Sequence, residues 1–493
     1  MATESVFLTA VIDALEGRDV AVLDVPGAFM QADMDKLVHV RFTGKMVDLL
    51  LEIDQNMYGP CVTKEGKETV MYVELLKALY GTVRAAQLFW EKLTKKLLEW
   101  GFTPNQYDPC VMNKTIANTQ LTVAWHVDDL KVSHVNSKVV DQFIMDMEGE
   151  FGKETPLNQS RGKMHDYLGM TLDFTIPGEV TITMVDYIKG VLYDAPKEMR
   201  GSAVTPAANH LFWVNEVNPV LLEKDEADIY VHIVMQLLYL SQRARPDIRT
   251  AVSFLCGHLT RPDKDDYKKL ARVMKYLDST VDMPLVLAAD NTGKIRWWVD
   301  ASYAVHADMK SHTGGTLSLG KGSIYSTSNK QKLVTRSSTE AEVVGVHDVM
   351  PQLMWTAHFL NEQGMHIDKS ILYQDNTSSI LLETNGRSSS TKRTRHMNIR
   401  YFFIKDQVDS KRVKIEHCPT GDMLADFFTK PLQGMQFQKL RDQLMNLAPS
   451  SKYHSNHSGH RSVLKLESAG TTSTADVSTD ATSPKSYKEV LLG

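Results

Sequence analysis

The chain has 493 residues, 43% of them hydrophobic and 23% charged, with a formal net charge of -5. That is room for two or three domains with real cores and an ordinary globular composition, without a chain-wide signal of a polyanion partner, although carboxylate-rich sites can mask local basic strips. Cys61, Cys110, Cys256 and Cys418 are scattered without CxxC or His/Cys zinc spacing, and no apolar run reaches 18 residues, which excludes a disulfide framework, a structural zinc, a membrane span and a conventional secretory leader.

In chain order, Ser5–Leu15 has helical periodicity, Val20–Asp24 is a buried-type strand, and Lys36–Phe42 is another strand. Glu74–Trp100 keeps apolar residues near helical spacing, is broken by Gly81 and stops at Gly101-Phe102-Thr103-Pro104. Leu121–Trp125 and Leu130–Val135 read as the arms of a tight hairpin tipped by Asp128 and Asp129. Tyr167–Phe174 and Val180–Met184 are expected to pair across Pro177-Gly178, followed by helices at Asp228–Arg243, Pro246–Thr260 and Asp266–Leu277. The last folded stretch has strands at Lys294–Ser302, Gly314–Leu319 and Ser323–Ser328, then a long helix, Ser338–Gln363, which Pro351 should kink. A strand at Lys369–Gln374, a helix at Arg400–Val408, a strand at Val413–His417 and a helical turn within Asp422–Lys430 complete an α/β order. From about Ala448 the chain turns rich in Ser and Thr and lacks the apolar residues to offset ordering entropy, so the tail is expected to be disordered.

Carboxylates carry the chemistry. Asp24 ends one strand, while Asp128 and Asp129 are adjacent at a hairpin tip, where they repel each other and gain little by packing. A divalent cation is the natural reason for such a pair, and three acids on neighbouring strand ends suit two-metal phosphoryl transfer. A second set follows: Asp300 in the apolar strand Ile295–Val299, Glu340 and Glu342 at the start of the long helix, Asp375 at a strand end, and Asp426 beside two phenylalanines. Taken singly, an Asp at a strand end is usually a cap or turn residue, and Glu340 after Ser338-Thr339 suits a first helical turn. Taken together they can converge on a second two-metal site.

Several segments resemble the Pol polyprotein of copia-type LTR retrotransposons. Leu23–Met30, Leu76–Gly81 and His126-Val127-Asp128-Asp129 are similar to its reverse transcriptase, and Leu238-Tyr239-Leu240 with Arg245-Pro246-Asp247-Ile248 to its connecting region. Lys330-Gln331-Lys332, Ser337–Glu342, Gln374-Asp375-Asn376, Thr394-Arg395-His396, Ile399-Arg400-Tyr401 and Ala425–Pro431 resemble its ribonuclease H domain. The similarity spans roughly residues 5–446.

The resemblance implies an α/β (α+β) chain: a reverse transcriptase palm with partial fingers over 1–150, a thumb-like connection over 151–290, a ribonuclease H-like domain over 291–446 and a disordered tail over 447–493. It implies RNA-directed DNA synthesis and cleavage of RNA in RNA–DNA hybrids, with two Mg2+ per site (Mn2+ able to substitute). Partners would be an RNA template, a hybrid and deoxynucleoside triphosphates, in a cytoplasmic virus-like particle or the nucleus. Asp24, Asp128 and Asp129 would be the polymerase acids, the first two as metal ligands. Phe29 would be the gate under the incoming sugar, and Gly81 would let backbone approach the base pair. Asp300, Glu342, Asp375 and Asp426 would be the nuclease ligands, with Glu342 preferred to Glu340 on register. Lys330, Lys332 and Arg336, and Lys392, Arg393, Arg395, His396 and Arg400, would contact phosphates without reading sequence.

Departures from the pattern carry expectations of their own. Only about 20 residues precede Asp24, so the expectation is an N-terminally truncated chain with a polymerase half impaired by missing fingers. Pro26 follows Asp24 closely and removes a donor from that strand, and Ala86, His126 and Ser302 differ from the usual residues. The competing expectation is a non-catalytic nucleic-acid-binding relic of a transposable element.

Overall fold

The computed structural model describes residues 1–386 and 398–448. Helix and sheet are mixed throughout, and the chain divides into two units: Val25–Trp100, and Met1–Asp24 together with the described residues from Gly101 onward. Among the described residues no helix is long and apolar enough to cross a membrane.

In the larger unit, a six-stranded antiparallel sheet runs in the order Thr103–Asn105, Asp108–Ile116, Thr119–His126, Asp129–His134, Asp19–Asp24, Asn158–Gly162. Its strands come from three stretches of chain, because Asn158–Gly162, inside the segment expected to be a separate connection, pairs with Asp19–Asp24. The buried Lys131 of this sheet is held by Asp13 of the helix Thr3–Glu16, with Ser133 and Arg18 on the same carboxylate. A cation in such a core needs its counter-charge beside it.

A second sheet, Met164–Tyr167, Met170–Asp173, Val180–Thr183, Leu285–Ala289 and Gly320–Lys321, shares its core with the helices Lys224–Ser241, Arg249–Cys256 and Lys264–Asp278. The expected single strand Tyr167–Phe174 is in fact a hairpin. Leu168 and Gly169 both have positive φ (51° and 75°), as a two-residue turn of the right twist demands. The expected helix Pro246–Thr260 is a 3-10 turn, Pro246–Ile248, and a short α-helix to Cys256. Arg245 grips Asp247 with two hydrogen bonds (2.9 and 2.8 Å), Tyr276 donates to the same carboxylate at 2.7 Å, and Arg245 also reaches Thr280. The Arg-Pro-Asp motif therefore pins this helix to Lys264–Asp278, whose start Asp263 caps.

The third sheet has the spatial order Tyr325–Lys330, His312–Ser318, Lys294–Ser302, Lys369–Gln374, Val413–His417. The first three strands are antiparallel, and the last two run parallel to Lys294–Ser302. Parallel neighbours require a crossover, supplied by the helix Ser338–Glu362, which continues through Pro351. The helices Thr377–Asn385 and Gly434–Met445 were not anticipated from sequence, since neither has a strongly one-sided apolar pattern.

The smaller unit carries a three-stranded antiparallel sheet, His39–Thr43, Glu68–Glu74 and Val62–Glu65. Only the second half of Glu74–Trp100 is helical, from Ala85 to Glu99. Leu75–Tyr80 instead spends its backbone groups on a neighbouring segment: Met34 N–H donates to Leu76 (3.0 Å) and Ala78 N–H to Ala32 (2.9 Å). Gly81, at φ 92°, then redirects the chain. Phe29 packs on Tyr80, ring centroids 4.4 Å apart, beside a small alanine-lined core.

Candidate active sites: two carboxylate clusters

The first cluster is built by strand pairing. Asp24 lies directly across from Asp129, and His126 pairs with Asp129 on the other side, leaving Val127 and Asp128 as a two-residue turn. Val127 adopts φ 60°, a conformation that costs a β-branched residue about 1–3 kcal/mol and that holds the tip in one shape. All three carboxylates are half-buried. Burial, then the neighbouring Asp128 and Asp24, push Asp129 up to about 6. Asn158, unmarked in the sequence reading, donates to Asp24 Oδ2 at 2.8 Å. His126 is held below its usual value by burial, the chain's amino terminus and Arg243. Phe29 and Gly81 belong to the smaller unit, Phe29 in the short turn Ala28–Gln31.

The second cluster draws on four elements. Asp300 is central in its strand, Glu342 lies in the first turns of the long helix, and Asp375 follows the strand Lys369–Gln374. One oxygen from each of these three lies within 4.8 Å of the other two. Glu342 Oε2 is buried and has no hydrogen-bond partner. Desolvation, then Asp300 and Asp375, raise the Glu342 carboxyl well above its ordinary value. Glu340 does other work: it accepts from Arg336 N–H at 2.8 Å, while Ser337 caps its own N–H. Asp375 accepts from Thr420 (3.1 Å), and Asn376 caps the following helix.

Asp426 joins from the short helix Asp426–Thr429. It is raised to about 7 by burial and by Asp300, against the pull of Lys430. Lys430 reaches both acids, 2.6 Å from Asp426 and 3.6 Å from Asp300, and Thr429 donates to Asp300. That helix can sit so low only because Gly314, opposite Asp300, lacks a side chain: a Cβ there would lie 2.7 Å from Thr429 and 2.8 Å from Phe428. Ser328 and Thr250 hold the same turn by its carbonyls, at Phe428 (2.7 Å) and Phe427 (2.8 Å). Gly314-Gly315 inside a strand was the available signal, since glycine there often marks a close backbone approach.

The donor set is all oxygen, as Mg2+ and Mn2+ prefer, and the orphaned Glu342 oxygen among like charges is what a bound cation would satisfy. The fit is good. Of the basic residues singled out from sequence, Lys330 is paired with Asp308 (2.9 Å), Lys332 and Arg336 are exposed, and Arg400 donates to His347 (3.1 Å) and Asp348 (3.4 Å). Lys392, Arg393, Arg395 and His396 lie outside the described residues.

Residues 1–208 match the family model of reverse transcriptase (RNA-dependent DNA polymerase). The chain is 25% identical to the retrovirus-related Pol polyprotein from transposon TNT 1-94 of Nicotiana tabacum, over 86% of this chain and 30% of that protein. It is 28% identical to the one from transposon RE2 of Arabidopsis thaliana, over 84% of this chain and 27% of that protein. The chain thus spans less than a third of these relatives. Among solved structures, a prototype foamy virus protease–reverse transcriptase covers 82% of this chain and 43% of that one, at 12% identity and a TM-score of 0.21, too distant a likeness to argue from.

Proposed function

We infer, for a chain related over most of its length to the copia-type Pol polyproteins of retrotransposons, that it copies RNA into DNA and cleaves RNA within RNA–DNA hybrids at two separate carboxylate sites. The observation that carries this is the buried cluster of Asp300, Glu342 and Asp375, their oxygens within 4.8 Å of one another and one Glu342 oxygen without a partner. Packing gains nothing from such an arrangement, and phosphoryl transfer at a hybrid does.

Asp300, Glu342, Asp375 and Asp426 would hold divalent cations in the nuclease site, and Asp24 and Asp128 in the polymerase site. When bound, these ions supply charge neutralisation at the scissile or transferred phosphate and ease deprotonation of the attacking oxygen. The chain's other residues position the acids: Thr429 and Lys430 hold Asp300 and Asp426, while Asn158 orients Asp24. Asp129, raised to about 6 by burial and by Asp128 and Asp24, would be the third acid of that site. Phe29 would stack beneath the incoming sugar of a deoxynucleoside triphosphate, and Gly81 would admit the template base pair. Substrate choice at the nuclease site would rest on hybrid groove shape and 2′-hydroxyls. The exposed Lys332 and Arg336, with the basic stretch around Arg395, would follow the phosphates.

The domains on this reading are a polymerase-type region over 1–150, whose sheet the strand Asn158–Gly162 completes, a connection to 290 and a nuclease-type region over 291–446. The test is incubation of the chain with magnesium and either a labelled RNA–DNA hybrid or a primed RNA template plus deoxynucleotides. Expected is hybrid cleavage that Asp300→Asn and Asp375→Asn abolish, and extension that Asp128→Asn abolishes. Binding of the hybrid with neither reaction would overturn the catalytic reading in favour of a duplex-binding relic.

A further inference from the structure

The short helix Asp426–Thr429 rests on a row of residues across three adjacent strands: Asp300, Gly314 and Ser328, paired in register and so on one face. Asp300 accepts from Thr429, Gly314 leaves room for the turn, and Ser328 donates to the Phe428 carbonyl at 2.7 Å. One turn of helix cannot satisfy its own last carbonyls, which is why Phe427 and Phe428 take side-chain donors from Thr250 and Ser328. Behind Ser328 stand two histidines. His312 Nε2 is 2.8 Å from the Ser328 hydroxyl, and His306 Nε2 is 2.9 Å from His312 Nδ1.

The direction of this line follows from its last acceptor. A carbonyl only accepts, so the single Ser328 proton goes to Phe428, and Ser328 Oγ must accept from His312 Nε2–H. A neutral His312 then has Nδ1 as its acceptor, which the His306 Nε2–H fills. The other His312 tautomer would set its Nε2 against the Phe428 carbonyl for one proton and leave that carbonyl unpaired. Ser328 is 0%, His312 1% and His306 9% exposed, so water does not stand in for a lost link. Desolvation lowers both rings, to about 4 for His306 and about 3 for His312, which keeps them neutral. His306 is anchored in its turn. Its backbone bonds to Met309 and Lys310, Asp308 beside it pairs with Lys330 at 2.9 Å, and Phe212 packs on both rings.

We propose that His312 is a positioning residue for Asp426, aiming the Ser328 hydroxyl at the turn that carries this acid, and that His306 fixes the His312 tautomer that does so. This rests on the nuclease reading above. Both histidines act through the backbone of the turn, so their loss should appear in turnover and in cation affinity, not in affinity for the hybrid.

The test compares His312→Phe, His312→Gln, His306→Phe and Ser328→Ala with wild type, each in the whole chain. Glutamine keeps an N–H where His312 Nε2 donates; phenylalanine keeps the bulk of the ring and removes the donor. Expected for His312→Phe and Ser328→Ala is hybrid cleavage with kcat about tenfold lower and KM within about twofold of wild type. His306→Phe should cost less, and His312→Gln should return kcat to within about threefold of wild type. Mn2+ binding, read by electron paramagnetic resonance in an Asp128→Asn background so that the hairpin cluster contributes little, should weaken about tenfold in the same two variants and recover in His312→Gln. Equal losses in His312→Phe and His312→Gln would show that ring packing matters and the N–H does not, and would overturn the proposal. So would unchanged kcat and Mn2+ affinity in folded Ser328→Ala, which removes one hydroxyl and little bulk. Wild type that binds Mn2+ without cleaving would instead strike the nuclease reading. The Mn2+ series then decides the positioning role alone: weakening that His312→Gln reverses supports it, and no weakening overturns it.

Discussion

The two carboxylate clusters solve the same electrostatic problem in opposite ways. At the hairpin, Asp24, Asp128 and Asp129 are half-buried, brought together by strand register and a strained two-residue turn, so water shares in solvating them. In the other, Asp300, Glu342 and Asp426 are almost fully buried and come from one strand and two helices. There the protein answers the charge only in part, through Thr429 and Lys430, and leaves one Glu342 oxygen without a partner. The lesson is that a shallow cluster can be held by local geometry, whereas a deep one depends on elements distant in the chain.

The sharpest break between the two is catalytic. Asp300→Asn or Asp375→Asn should lower hybrid cleavage by about a thousandfold or more and leave extension unchanged, and Asp128→Asn should do the reverse. Parallel gel assays on one preparation decide it; joint loss of both activities would mean that the clusters are not independent.

Gly314→Ala tests the depth of the second cluster without touching a carboxylate. The added Cβ would force the Asp426–Thr429 turn outward. Cleavage should fall about 10- to 100-fold, the usual penalty for displacing a catalytic group by an ångström, with extension intact. Normal cleavage would show that Asp426 tolerates the shift and is not needed where it sits.

A smaller effect separates the clusters by stability. Glu342→Gln removes a charge that burial and Asp300 disfavour, so the metal-free melting temperature should rise by about 2–4 °C and the further rise on adding Mg2+ should shrink. Differential scanning fluorimetry with and without EDTA reads both. Asp128→Asn should move the melting temperature much less.

The smallest effect concerns Glu383, fully buried near the second cluster and raised by desolvation to about 8. Its folded form holds a proton that the unfolded chain gives up near its ordinary value of 4.5. Between those two points the folded state binds more protons, so stability falls as pH rises from about 4.5 to about 8. Glu383→Gln should flatten that fall in melting temperature and change little at pH 4.5. His306 and His312, hydrogen-bonded to each other at 2.9 Å and lowered by burial to about 4 and about 3, act in the other direction. Their contribution is present above their ordinary value of 6.5 and is lost as pH drops towards 4, so a variant that keeps an alkaline fall unchanged would point away from Glu383.

Much of this molecule was legible before folding was considered. The strands at Val20–Asp24, Lys369–Gln374 and Val413–His417, the acid-tipped hairpin and the chain order of the last α/β region follow from local periodicity, and the structure has them at or within a residue of those places. Glu74–Trp100 was misread because apolar spacing is blind to backbone pairing, which draws Leu75–Tyr80 onto Ala32 and Met34. The break at Leu168-Gly169 went unseen because only two positive φ angles announce it.

By itself the sequence determined which acids exist, on which elements they ride and in what order, because those properties depend on neighbours a few residues away. Tertiary structure alone decided that Glu340 accepts from the Arg336 N–H, that Gly314 admits Asp426 and that Asn158 serves Asp24. The physical reason is range: a period of two or 3.6 residues sets which way a side chain leaves its own backbone, but what it meets is set by segments 134 residues away in the chain, as at Asp24, or 177, as at Thr250.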